Sequence, residues 1–103
     1  MPASTANVAT EKPAPYMKQL CRHFSHRSEV SFDDERGRIE FSPDGVALGS
    51  VRLDATAGEL LVLEATAEDQ AALARVQQIA GSHLERFGRG DDLTVSWSPA
   101  AHG

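Results

Sequence analysis

Two segments with helical periodicity enclose a stretch of short segments in which apolar and polar residues alternate, and this order favours an α+β fold. The first helical segment begins near Pro15, since a proline in the first turn lacks only an N–H that the helix would leave unpaired. It carries a single apolar stripe, made by Met17, Leu20, Cys21 and Phe24. The spacing predicts a helix over residues 14–26.

The second helical segment is longer and has clearer ends. Thr66 is the predicted N-cap, because a threonine hydroxyl can accept a hydrogen bond from an unpaired N–H of the first turn. Gly88 and Gly90 follow the last periodic residue and predict the end of the helix. We therefore expect a helix over residues 67–87.

The segments between and after these helices alternate with a period of two, which is typical of strands. Strands are predicted near residues 30–32, 39–41, 46–53, 59–65 and 93–97. The apolar residues of 46–48 and 51–53 have opposite phase, which predicts a bulge or a bend at Gly49 and Ser50. The predicted order is α-β-β-β-β-α-β, a mainly antiparallel sheet packed against two helices.

The chain has 103 residues, which suits a single domain. Residues 1–13 contain little apolar volume and are predicted to be a disordered lead-in. Residues 14–98 are predicted to form the domain, and residues 99–103 a flexible tail.

Charge and apolar content exclude several classes of protein. Ten Lys and Arg against fifteen Asp and Glu give a net charge of −5, so no basic footprint for nucleic acid or anionic membranes is predicted. No apolar run approaches the roughly 20 residues that span a bilayer, and no signal peptide is recognisable. The single cysteine, Cys21, cannot form an internal disulfide. These features predict a cytoplasmic protein.

His83 lies within the apolar face of the second predicted helix, where a polar ring needs a hydrogen-bond partner or a ligand. One interpretation is a structural histidine bonded to a backbone carbonyl or a carboxylate. The other is a ligand-binding residue.

His23 and His26 are three residues apart on the first helix and so are neighbours on its surface. Together with His83, they are a candidate metal or acidic-ligand site, provided that both helices pack on one face of the sheet. Arg22 and Arg27 flank the pair and disfavour a divalent cation, so a solvated pair without a ligand stays open. The sequence indicates no definite cofactor, and a transition metal is the one candidate.

Two further residues have both a structural and a functional interpretation. Cys21 lies on the apolar stripe and is most simply a small core residue, although a nucleophile paired with His23 or His83 is the alternative. Arg38 follows Gly37 on a predicted strand and is either an anion contact or an outward-facing strand residue.

The segments Leu-Cys-Arg-His-Phe-Ser-His-Arg (20–27) and Ser-His-Leu-Glu-Arg-Phe (82–87), with the strands between and after them, resemble a small bacterial family catalogued as domain of unknown function 2218. The similarity covers about residues 14–98, and residues 42–49 depart from the family pattern. The matching motif positions are Cys21, His23, His26, Gly37, Arg38, His83, Glu85, Arg86 and Phe87. Family members occur beside, or fused to, siderophore-interacting ferric reductases, which implies a role in iron acquisition.

The resemblance and the residues together favour a non-enzymatic accessory or ligand-binding protein of iron or siderophore utilisation. Its expected partner is a siderophore-interacting ferric reductase or a ferric siderophore. The expected ligand-binding residues are His23, His26, Arg38, His83 and Arg86, with the three histidines as metal ligands. Two alternatives stay open: a small enzyme with a histidine general acid/base acting on an anionic substrate, and a purely structural or dimeric interaction domain. Both a monomer and a homodimer agree with the sequence.

Overall fold

A six-stranded antiparallel sheet with two α-helices on one face forms the described part of the chain, which comprises residues 2–26, 28–42 and 47–99 of a computed structural model. The strands lie side by side in the order β2-β3-β4-β5-β1-β6. In chain order the elements are β1 (Ala3–Ala9), α1 (Pro13–Phe24), β2 (Glu29–Phe32), β3 (Arg36–Phe41), β4 (Gly49–Asp54), β5 (Leu60–Ala67), α2 (Gln70–Phe87) and β6 (Trp97–Pro99), with a short 3-10 turn at Arg89–Asp91.

The core lies between one face of the sheet and the apolar stripes of the helices. Helix α1 packs on β2 and β3, and α2 packs on β4 and β5. Every second residue of a strand points to the same face, so the sheet contributes a regular set of buried side chains. The largest fully buried side chains are Met17, Leu20, Ile39, Leu53, Leu61, Leu63 and Leu84. Among the described residues no helix covers the opposite face of the sheet, which is mostly polar.

The predicted fold class is confirmed, and from Pro13 onwards so is the order α-β-β-β-β-α-β. The prediction that residues 1–13 are disordered is wrong for Ala3–Ala9. This segment is β1, which pairs with β5 over seven residues and with β6 on its other side. The small apolar volume of this segment is the reason for the wrong prediction. A strand between two others forms backbone hydrogen bonds on both edges, so small residues that fit beneath a helix are sufficient.

Side chains of β1 are among the most deeply buried in the protein. Val8 is 0% exposed, Ala6 is 1% exposed and Ser4 is 2% exposed. The Nε2 of Gln77 on α2 donates a hydrogen bond of 2.6 Å to the Ser4 hydroxyl, which satisfies a buried polar group. Strand β1 is therefore an integral part of the core.

Helix α2 begins at Gln70, after a connecting turn, whereas residue 67 was predicted. Thr66 is not its N-cap but lies in β5, where its hydroxyl is 3.1 Å from the Ser50 hydroxyl on β4. Asp69 is the N-cap, and its carboxylate accepts a hydrogen bond of 2.7 Å from the backbone N–H of Ala72. Both residue types suit a cap; strand pairing with β4 and β1 keeps Thr66 extended.

Of the bulge or bend predicted at Gly49 and Ser50, the bulge is not present in the described strands. Strand β4 begins at Gly49, which pairs with Phe41 on one side and with Ala67 on the other without a break in register. A Cβ atom at Gly49 would collide with the carbonyl oxygen of Thr66 and lie 2.9 Å from Val76 Cγ2. Glycine is needed there because α2 and β5 approach the backbone closely.

The remaining boundaries shift by a few residues. Helix α1 ends at Phe24, whereas residue 26 was predicted. The last strand begins at Trp97, while Leu93 packs beside Gly88 before it. Pro99, predicted to begin the tail, closes β6. The tail predicted after Pro99 lies outside the described residues. Neither described helix is long and apolar enough to cross a bilayer.

The position of β1 predicts a difference between neighbouring substitutions. Val8→Ala should lower the free energy of unfolding by about 2 kcal/mol, because it removes two buried methyl groups and leaves a cavity. Asn7→Ala, on the exposed side of the same strand, should change it by less than about 0.5 kcal/mol. Urea unfolding followed by circular dichroism measures both. Equal, small effects would contradict the burial of β1.

Candidate functional site

The structure brings two of the predicted site histidines together between the helices. The imidazole of His23 on α1 and that of His83 on α2 have ring centroids 4.9 Å apart and planes inclined at 42°. This contact depends on both helices lying on the same face of the sheet.

Phenylalanine rings surround the imidazole pair. The Phe24 centroid lies 4.9 Å from that of His23 and 5.0 Å from that of His83, in edge-on contacts. Phe87 contacts both imidazoles, and Phe41 on β3 contacts Phe24 edge-on. These contacts place the two imidazoles side by side, with His83 half-buried and His23 exposed. We call His23, His83, Phe24, Phe41 and Phe87 the aromatic cluster.

One hydrogen bond determines the tautomer of neutral His83. Its Nδ1 lies 2.7 Å from the carbonyl oxygen of Ile79, one helical turn earlier. A carbonyl only accepts, so Nδ1 carries the hydrogen, and in the neutral ring Nε2 then holds a lone pair. The side chain is half-buried. This arrangement satisfies the structural interpretation of His83 and leaves one nitrogen able to bind a ligand.

The other predicted residues of the helix side lie outside this cluster. His26 follows the end of α1 and is exposed, and Arg86 is exposed on α2. In the described part of the chain, no group of three or more His, Cys, Asp or Glu side chains is placed to hold a metal ion. The three-histidine metal site is thus not assembled, and only His23 and His83 meet.

Cys21 has the environment of a core residue. It is 0% exposed, and a Cβ atom on Gly37 of β3 would lie 2.9 Å from its sulfur. Burial raises the pKa of the thiol to about 11. These features oppose the nucleophile interpretation, which requires a stabilised thiolate.

Arg38 lies on the opposite side of the sheet from the aromatic cluster. The face without helices contains a depression of about 720 Å³, which is lined by residues of four neighbouring strands, β2 to β5. Its charged lining residues are Asp33, Arg36, Arg38, Arg52, Asp54 and Glu64. We call this the open-face depression.

Sequence reasoning missed Arg52, although the alternation of β4 contained the necessary signal. Val51 and Leu53 were recognised as inward residues, which leaves Arg52 on the outer face. Its position opposite Arg38 depends on the register between β3 and β4, in which these two residues are direct partners. Register follows from tertiary pairing, so a single strand pattern does not reveal it.

Two carboxylates beside the open-face depression are tied to turns. Backbone N–H groups of Arg36 and Glu35 donate to Asp33 and hold the pKa of its carboxyl below the ordinary value. The hydroxyl of Thr56 and its backbone N–H, at 2.5 and 2.8 Å, likewise lower the pKa of Asp54. Hydrogen bonds to the ionised form are the main cause in both residues.

The Asp54 environment predicts a pH-dependent response to Thr56→Val. Removing the hydroxyl should raise the pKa of Asp54 towards its ordinary value of 3.8, while Asp33 keeps its value because its donors are elsewhere. Carbon-13 NMR of the carboxyl groups measures both in one titration. Since the folded-state pKa is depressed, the stabilisation exists above the unfolded pKa and is lost as pH falls through the folded pKa. The variant should therefore be destabilised at neutral pH and approach the wild type in acid.

The burial of Cys21 predicts resistance to alkylation. With a pKa of about 11, about one thiol in a thousand is ionised at pH 8, and the folded protein shields it. Iodoacetamide should label native protein far more slowly than protein unfolded in urea. Rapid labelling of the native state, followed by mass spectrometry, would restore the nucleophile interpretation.

Comparisons with known proteins agree with this architecture. No curated protein matches the chain significantly. An NMR structure of the PA4090 protein from Pseudomonas aeruginosa is 32% identical, covers 97% of this chain and 98% of its own, and superposes with a TM-score of 0.76. The family model for domain of unknown function 2218 (DUF2218), described as an uncharacterised protein conserved in bacteria, matches residues 5–98. This match begins within β1 and ends within β6, so the chain belongs to the DUF2218 family.

Proposed function

We propose that this chain is a cytoplasmic, non-enzymatic accessory domain that binds iron, or an iron–siderophore complex, during iron utilisation. The observation that carries the proposal is the contact of His23 and His83, with ring centroids 4.9 Å apart. The association of the family with siderophore-interacting ferric reductases supports the same role and names such a reductase as the expected protein partner.

The chemistry of the imidazole pair suits a divalent first-row transition metal. When two imidazole nitrogens bind one metal at about 2.1 Å, the ring centres are about 4.5 Å apart for perpendicular bonds and about 5.2 Å apart for tetrahedral ones. The separation of 4.9 Å between the two ring centroids lies within this range. A metal-binding histidine commonly donates its second N–H to a backbone carbonyl, as the Nδ1 of His83 does to Ile79.

Two protein ligands complete only part of a coordination shell. Water or a chelator would supply the remaining positions, and siderophores are chelators rich in oxygen ligands. A partial protein shell suits transfer better than permanent retention, because exchange needs open coordination positions. We therefore propose that the protein binds the metal transiently and transfers it to another molecule.

The aromatic contacts favour one competing role, which is purely structural. Edge-on packing of Phe24 and Phe87 against both imidazoles stabilises the junction of α1 and α2 without any ligand. In that role the histidines act as polar members of an aromatic core, and the protein functions through partner contacts alone, as a monomer or a homodimer.

Histidine NMR distinguishes these roles. Nitrogen-15 spectra of the side chains should be recorded with Zn²⁺ as a diamagnetic probe and then with Fe²⁺ under anaerobic conditions. We expect the signals of His23 and His83 to shift together and to saturate, and His83→Ala to abolish both shifts. His26→Ala is the matched control, because His26 lies outside the aromatic cluster, and it should leave the response unchanged.

A response confined to His26, or no saturable response at His23 and His83, would contradict metal binding and leave the structural role. Because His83→Ala also removes packing, its folding should be verified by thermal unfolding. His83→Phe keeps the aromatic volume without a nitrogen ligand, so it should retain the fold and lose the metal response.

A further inference from the structure

The open-face depression contains two like charges placed directly opposite each other. Arg38 on β3 and Arg52 on β4 are register partners with side chains on the same face of the sheet. Such neighbours have Cβ atoms about 5 Å apart, and like charges in this position destabilise the strand pair. We infer that this depression is a binding site for a small anion with two carboxylate or phosphate groups, one for each guanidinium.

The arginines retain donors for such a ligand. Arg38 uses one guanidinium nitrogen, Nη2, in a 2.6 Å ion pair with Glu40. Arg52 forms no ion pair or hydrogen bond through its side chain with any described residue. Each guanidinium offers five N–H donors in a planar fork, so Arg52 can bind an oxyanion through two parallel hydrogen bonds.

The acidic residues of the open-face depression differ in how they interact with the two arginines. Asp33 accepts backbone N–H groups of its own turn, and Asp54 accepts from Thr56 and lies 3.7 Å from Arg36. Neither of these two carboxylates forms an ion pair with Arg38 or Arg52. Glu64 is the register partner of Arg52 on β5, but it makes no contact with that guanidinium short enough to count as an ion pair. An anion between Arg38 and Arg52 would replace their repulsion with two attractive contacts.

The size and exposure of the depression indicate the size and the chemical groups of a suitable ligand. Its volume of about 720 Å³ lies in the range of small-molecule sites, while its wide opening leaves the guanidinium groups half-exposed or exposed. The protein as a whole carries a charge of −5, so attraction comes from these local donors. Carboxylate and phosphate groups both match the planar guanidinium fork, and a ligand with two such groups can engage both arginines.

Two-dimensional amide NMR with three probes tests the site. Citrate and pyrophosphate each carry two or more oxyanion groups, whereas acetate carries one. We expect citrate or pyrophosphate, or both, to shift the amides of β3 and β4 with saturation, and acetate to bind at least about tenfold more weakly, since each ionic hydrogen bond contributes on this scale. The stronger of the two probes identifies the carboxylate or the phosphate class. Added salt should weaken binding.

Substitution of Arg52 supplies the specific control. Arg52→Gln should weaken binding of the stronger probe by about tenfold or more, and Arg52→Lys should restore part of it, since lysine keeps the charge without the fork. Arg75→Gln, on the exposed side of α2, removes the same charge elsewhere and should change affinity by less than about twofold. Arg52→Gln should change the melting temperature little, because it removes both the repulsion from Arg38 and the attraction of Glu64.

The inference is overturned by the absence of saturable shifts up to about 10 mM of either probe. Equal weakening by Arg52→Gln and Arg75→Gln would also overturn it, since general charge would then explain the binding. His83→Phe should bind the anion as the wild type does, because the aromatic cluster lies on the other side of the sheet. The result is thus independent of the metal-binding proposal.

Discussion

Two helices bury one face of the sheet, and this burial determines where the other parts of the molecule lie. Alternation along each strand then divides its residues between an apolar side and a polar side. Val8, Leu61 and Leu63 lie fully buried on the helix side. The same alternation places Arg38 and Arg52 on the open side. Apolar burial supplies the main driving force, so the positions of the polar residues follow from it.

Two candidate sites result from this division, and they differ in physical character. The aromatic cluster lies at the junction of α1 and α2, where packing restrains the imidazoles and a backbone carbonyl orients His83. The open-face depression is held by backbone pairing between strands, and its side chains extend into solvent. A ligand at the first site therefore meets a pre-organised pair, whereas a ligand at the second organises long flexible side chains and loses affinity for that reason.

The comparison of sequence and structure shows where local patterns are reliable. The stripe on α1 correctly placed Met17, Leu20 and Phe24 in the core, because helical periodicity reports directly on one face. Strand β1 escaped recognition, since its small side chains have weak propensity and its stability comes from β5 and β6. The N-cap of α2 was misplaced at Thr66 for a similar reason, because pairing with β4 extends β5 beyond its apolar run.

Sequence patterns alone predict the α+β class, the two amphipathic helices and the unusual position of His83 on an apolar face. These properties depend on residues near one another in the chain, where periodicity and capping act. Only the tertiary structure decided that His23 meets His83 while His26 lies outside, and that Arg38 faces Arg52. Those pairs join residues distant in sequence, and their contacts follow from helix packing and strand register, which arise when the whole core is buried at once.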